Sequence, residues 1–234
     1  MPAGATEDGI ERQRLMCTAI IEKKGRITAE DLAKVWIRGI NPESFGRLML
    51  WEDKIFYDLL KASIPAGDVG RYSNWPGLVS FARACHPIGI VNACNPEQAV
   101  LDAFDVGRLY QPLHGYGLDW AAVVTAAIAE ALKPDATINS VIEASVMYVA
   151  EPVRKELIEG IELAKPYSDV FEMRPAFYKR YNSFGWPVGE QFAMSMAHEI
   201  VTKGLAIFYV TRGDPVKSII GAVNFGRDTD CLAA

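Results

Sequence analysis

Long apolar runs, excess charge of one sign and metal-ligand spacings are all scarce in this chain of 234 residues. The longest apolar stretch near the middle, Trp120 to Leu132, is broken by Glu130 and too short to span a bilayer, so no membrane association is expected. Basic residues do not outnumber acidic ones. The net charge is −5, which argues against the basic face that sequence-independent nucleic-acid binding requires. Four cysteines (Cys17, Cys85, Cys94, Cys231) form no C-x-x-C, and only three histidines accompany them, a poor basis for a Cys/His zinc site. The opening residues, MPAGATEDGIERQR, lack the apolar core of a signal peptide. Free thiols in a reducing compartment are then the simplest reading, with the cytoplasm as the default location. Period-2 alternation is missing over any useful length, and so are charge runs, low-complexity tracts, repeats and linkers. With 50 % hydrophobic and 23 % charged residues, the expectation is one globular domain over residues 1–234.

What is present is a series of helix signals. Ile10 to Lys24 carries Leu15, Ala19 and Ile20 at helical spacing, and Gly25 stands where a C-terminal cap is wanted. Thr28 followed by Asp31 resembles a capping box, opening a helix that Gly39 closes. Asn41-Pro42-Glu43 and Asn95-Pro96-Glu97 share one device: Asn caps, Pro fills the first turn and Glu meets the positive end of the dipole. Glu151-Pro152 and Asp214-Pro215 are variants. AAVVTAAIAEAL, apolar on nearly every face, reads as a buried central helix. Gly189 to Tyr209 is a second long candidate. Residues 63–83 read as loop, and Ile88 to Val91 is the best of a few short strand candidates. The fold class that follows is all-α, a compact helical bundle.

Two acidic clusters lie far apart in sequence. Thr6-Glu7-Asp8-Gly9 precedes the first helix, and Gly226-Arg227-Asp228-Thr229-Asp230-Cys231 precedes Leu232-Ala233-Ala234. Residues two apart do not face each other on a helix, so Asp228 and Asp230 converge only on a turn or a frayed first turn. Gly226 supplies the permissive backbone. Carboxylates and a hydroxyl on a turn suit a hard divalent cation. They suit helix capping equally well, and Thr6-Glu7-Asp8 would cap the first helix.

These motifs resemble those of the ADP-ribosylglycohydrolase family, which includes dinitrogenase-reductase-activating glycohydrolases and J1 crystallins. The early cluster is similar to the family's (S/T)-D-D-T and the late one to G-G-D-T-D-T. Arg83 to Gly89 (RACHPIG) is similar to R-x-x-P-x-G, and His114-Gly115-Tyr116-Gly117 to H-x-x-G-x-Y-G. The resemblance covers essentially the whole chain. It implies an all-α fold that binds one or two Mg²⁺ ions, or Mn²⁺, between the early and late motifs. It implies hydrolysis of the bond joining ADP-ribose to a protein side chain or a related small leaving group. Residue by residue, Thr6, Glu7, Asp8, Asp228 and Asp230 would ligate metal, and Glu7, Asp8 and Asp228 would serve catalysis. His114, Gly115, Tyr116 and Gly117 would line the substrate, with backbone amides near Tyr116 meeting the diphosphate.

Several positions depart from the pattern. Glu7 replaces Asp, Gly9 and Cys231 replace Thr, and Arg227 replaces Gly. The family's N-terminal G-D-x-x-G element has no counterpart, and the helix after D-T-D stops at Ala234. A relative that binds a nucleotide or sugar phosphate without turning it over, or a J1 crystallin-like structural protein, is therefore the alternative reading. Arg227 is expected either among the four carboxylates, in the place of one ion, or facing solvent. Of the other histidines, His198 reads as packed or surface, and His86 as extended by Pro87. Tyr72 and Trp75 lie in a Gly/Pro-bounded loop, and Phe184-Gly185-Trp186-Pro187 forms a similar one. Each is either pinned by burial or offered to a planar ligand.

Overall fold

Helix α7 (Gly117–Ala131) is the axis of the molecule, because almost none of its side chains needs water. Twelve of its residues are buried, from Gly117 to Glu130. A computed structural model describes residues 7–182 and 195–233, and among these it shows thirteen α-helices and no strand. Helices α5 (His86–Val91), α6 (Pro96–Gly107), α8 (Ile138–Met147) and α11 (Ala197–Val210) pack around α7. The α5 crossing is close: a Cβ on Gly89 would stand 2.7 Å from the Cβ of Ile128. Helices α1 (Asp8–Lys23) and α2 (Ala29–Gly39) pair on one side, with α3 (Trp51–Lys61) and the short α4 (Ala66–Val69) beside α2. Helices α9 (Glu151–Ala164) and α10 (Val170–Asn182) flank α11, and α12 (Pro215–Val223) leads into α13 (Thr229–Ala233).

Most of the cap signatures do what their chemistry dictates. Thr28 and Asp31 form a reciprocal capping box. Asn95 accepts from the Gln98 amide and Asp214 from that of Lys217. Asn41-Pro42-Glu43 opens only a single 3-10 turn. At the end of α1 the left-handed residue is Lys24 (φ 58°), one position before the glycine expected there. Ile88 to Val91, a strand candidate by its apolar run, is the body of α5, and His86 opens that helix. Residues 63–83 hold α4 and one 3-10 turn between irregular segments. Of the helix expected from Gly189, only Ala197–Val210 lies within the described residues, and Phe184-Gly185-Trp186-Pro187 lies outside them.

The irregular residues 76–83 thread between helices and carry the site. Buried polar side chains satisfy their backbone. The Gln111 amide donates to the carbonyls of Pro76 (3.0 Å) and Leu78 (2.9 Å). Arg12, wholly buried on α1, donates to the carbonyl (3.3 Å) and hydroxyl (3.1 Å) of Ser80. Its other nitrogens bond Asp53 Oδ1 on α3 at 3.0 and 2.6 Å, and Tyr110 lies beneath it at 5.3 Å. Asp53 is equally buried. Removing its charge strands a guanidinium in the core. Asp53→Ala is therefore expected to cost about 3–5 kcal/mol of stability. Urea unfolding checks it, and a loss below about 1 kcal/mol, the usual worth of an exposed pair, would show that water reaches Arg12.

Candidate functional site

The early cluster sits at the N-terminus of α1. Glu7 is its N-cap: the carboxylate accepts from the amides of Gly9 (2.8 Å) and Ile10 (2.7 Å). Asp8, the first helical residue, forms an ion pair with Arg83. Thr6 lies outside the described residues. Arg83, at the end of the irregular strip, also stands 3.6 Å from Glu7 and donates to Cys231 Sγ at 3.7 Å. The Gln13 side chain holds the Arg83 carbonyl (2.8 Å) and meets His86 Nδ1 (3.1 Å).

The late cluster is a turn followed by the first residues of α13. Gly226 (φ 100°) and Arg227 (φ 63°) are both left-handed and reverse the chain after the buried Phe225. Ligand atoms of Asp228, Asp230 and Cys231 then lie within 4.8 Å of one another. The two carboxylates share a hydrogen bond and titrate as a pair. Contact with Asp228, helped by burial, raises Asp230 above the usual carboxylate range. Burial also opposes the charge on Asp228, but hydrogen bonds with Asp230, Ser195 and Cys231 outweigh it and hold Asp228 low. The Cys231 thiol is pushed up to about 12, chiefly by burial.

The two ends of the chain therefore meet. Arg83 touches both clusters, and the charge of Glu7 is among the influences on Asp230. Arg227 is exposed on its turn, as the second expectation has it, and makes an ion pair as well. Its Nε bonds Glu199 of α11 at 2.6 Å, which directs it onto α11. The cation set against both early carboxylates is Arg83, with Arg12 4.0 Å from Asp8.

The segment 114–117 departs from expectation in a different way. Tyr116 (φ 67°, ψ −51°) occupies a γ-turn closed by the Gly117 amide on the Gly115 carbonyl at 2.8 Å, a rare and strained conformation. The amides expected to meet a diphosphate are bonded inside the protein. Gly115 donates to Pro112 and Gly117 also to Pro76, while the Tyr116 amide bonds the Asp119 carboxylate. What the segment offers outward is the exposed His114 and the ring of Tyr116, 36 % exposed. That ring lies against Trp120 (6.2 Å) and His198 (5.8 Å), and His198 against Tyr181 (5.7 Å). Tyr72 and Trp75 are exposed, so burial does not pin their loop. Asp119, Ser195, Glu199 and Lys203 have no motif around them that would have marked them.

Two carboxylates at this spacing suit a hard divalent ion such as Mg²⁺ or Mn²⁺, while the Cys231 thiol is a softer donor that Mg²⁺ does not favour. Both oxygens of Glu7 already serve helix amides, and Asp8 serves Arg83. Among the described residues, Asp228 and Asp230 with Cys231 are the group that could hold a cation.

The family model described as ADP-ribosylglycohydrolase matches residues 2–234. No curated protein and no solved structure shows a significant match.

Two measurements test this geometry. Arg83→Gln removes the cation between the clusters and is expected to lower stability by about 2 kcal/mol, the range of hydrogen bonds to charged groups. Added Mn²⁺ is expected to raise the melting temperature of this variant more than that of the parent; equal shifts would show that Arg83 and a cation do not serve the same carboxylates. Burial also holds His86 below its ordinary value of 6.5. The unfolded chain therefore takes up a proton first, and stability is lost as pH falls below about 6.5 toward the folded value. Melting curves between pH 7 and 5 are expected to shift less in His86→Gln than in the parent, and parallel shifts would remove His86 from the account.

Proposed function

The chain belongs to the ADP-ribosylglycohydrolase family, and on that premise we propose that it hydrolyses the bond between C1″ of ADP-ribose and a protein side chain or small leaving group. The proposed site is where Arg83, paired with Asp8, meets the turn that carries Asp228 and Asp230. The observation that carries this reading is Arg83, which pairs with Asp8 near one end of the chain and donates to the Cys231 thiol, beside Asp228 and Asp230, near the other. A catalytic site assembled from both ends gives the two clusters a shared purpose that separate helix caps would lack.

Cleavage at C1″ builds positive charge on the sugar ring, and carboxylates stabilise it. Asp228 and Asp230 would hold one Mg²⁺ or Mn²⁺, which supplies orientation of the ribose hydroxyls and polarisation of water. Asp228, held ionised by its neighbours, would accept a proton from the attacking water; the leaving group departs with the bonding pair and takes up that proton. Arg83 keeps Asp8 turned toward the site. Glu7 contributes through the cap that sets the direction of α1, a smaller part than direct catalysis. Tyr116 and His114 line the approach, with the Tyr116 ring as a platform for adenine or ribose. Gly115 and Gly117 shape that platform, and their amides do not bind the diphosphate. The whole of residues 1–234 would act as one domain, on ADP-ribosylated proteins or small ADP-ribosyl compounds. Among the described residues no helix is long and apolar enough to cross a membrane; a cytoplasmic location remains part of the proposal.

The test is turnover of ADP-ribosyl-arginine and ADP-ribosyl-serine peptides with Mg²⁺ or Mn²⁺. Release of ADP-ribose is expected from one of them, and Asp228→Ala is expected to lower kcat/KM by roughly 100-fold or more while leaving the fold intact. Calorimetric binding of ADP-ribose without turnover of either peptide would overturn hydrolysis of these linkages and leave a binding relative. Absence of both would point to a structural protein.

A further inference from the structure

We propose that Arg227, Glu199 and Lys203 form a positioning triad that locks residues 226–231 in the shape that brings Asp228 and Asp230 together. The proposal rests on the reading of that pair as cation ligands. It assigns a role to the position where the chain differs from its family's glycine.

The backbone at Arg227 sits at φ 63°, where an L side chain is disfavoured and glycine is not. A residue kept there needs a compensating contact. Arg227 has one of high quality: Nε bonds Glu199 Oε1 at 2.6 Å, and the Glu199 side chain is only 3 % exposed. The same oxygen accepts from Lys203 Nζ at 2.5 Å, one helical turn further along α11, and Lys203 is wholly buried. A buried carboxylate set between two cations has its charge balanced and few other places to go.

The triad is held in turn by aromatic rings. Lys203 Nζ lies 5.6 Å from the ring centre of Tyr181, 5.8 Å from Phe225 and 5.9 Å from Tyr178. Phe225, two residues before Arg227, is buried edge-to-face on Phe177 at 6.0 Å. The intervening glycine passes Tyr178 so closely that an added Cβ would stand 3.0 Å from its hydroxyl. The turn is thus gripped before Gly226 by the core and after it by the ion pair. Asp228 is the next residue. A Gly-Gly turn has no such fastening of its own, and here the ion pair with α11 replaces backbone freedom with a fixed direction.

A purely structural Arg227 and a positioning Arg227 differ in what they move. Arg227→Gly suits the left-handed backbone, so the melting temperature is expected to change little. Mn²⁺ affinity of the full chain, read by calorimetry, is expected to weaken about tenfold, as for loss of a residue that orients a ligand. Arg227→Lys, which keeps a cation, is expected to recover part of it. Glu199→Gln is expected to weaken Mn²⁺ in the same way, and the Arg227→Gly/Glu199→Gln double variant no further than the worse single one. Should Glu199→Gln fail to fold around Lys203, the two Arg227 variants still decide. If the parent binds Mn²⁺ and Arg227→Gly binds it as tightly, the triad does not position the pair and only this proposal falls. If the parent binds no Mn²⁺, the cation reading falls and takes the triad's role with it.

Discussion

A guanidinium with no access to water holds the site end of this protein together. Arg12 takes its charge balance from Asp53, its remaining hydrogen bonds from Ser80, and the face of Tyr110 for packing. Four parts of the chain, α1, α3, the irregular strip and the residues after α6, are therefore committed to one another by a single side chain. Desolvating an ion pair is costly, and breaking one that is already buried costs more. The same Arg12 lies 4.0 Å from Asp8, so the core pair and the surface cluster begin on one helical face, one turn apart.

The strip explains how a helical protein presents such a site. Helices hide their backbone groups and offer only side chains at fixed angles, whereas an irregular segment can turn a side chain where it is needed. Its own backbone must then be satisfied elsewhere. Gln111 serves two of its carbonyls and Arg12 a third. The Val79 amide bonds the Ser195 carbonyl at 2.9 Å, and the Gly77 carbonyl accepts from Ala197 at 3.0 Å. Through these bonds the strip fixes Arg83 at one end. At the other, the Pro76 carbonyl anchors the Tyr116 turn.

Features set by near neighbours were legible in the sequence. The Thr28–Asp31 box, the Asn95 and Asp214 caps, the buried character of α7 and the turn at Gly226 all depend on residues within one or two turns. Helix α3 was silent because its cap is Leu50, whose amide is taken by Asp53 three residues later. The run Ile88 to Val91 was ambiguous because four apolar residues suit a strand or a buried helix equally. The partners of Arg83 and Arg227 had no local signature: Arg83 finds Asp8 75 positions away, and Arg227 finds Glu199 on another helix. The motif at 114–117 was recognisable, but nothing in it shows that its amides are already occupied. The all-α class and the family followed from patterns along the chain; the wiring of the site followed only from three dimensions.

The meeting of the two ends at Arg83 has a kinetic side. Arg83 reaches Cys231 across 148 residues of chain. The entropy of closing so long a loop grows only slowly with its length, so the equilibrium cost is modest. The rate is a different matter, since contacts of large sequence separation are the ones that slow folding. A chain with α2 to α12 in place but α1 and α13 undocked would own most of the hydrophobic interior without the meeting of its two acidic clusters. The juxtaposition of the two clusters exists only where α1 and α13 are both docked, so a ligand that touches both would favour the fully docked molecule over a partly folded one.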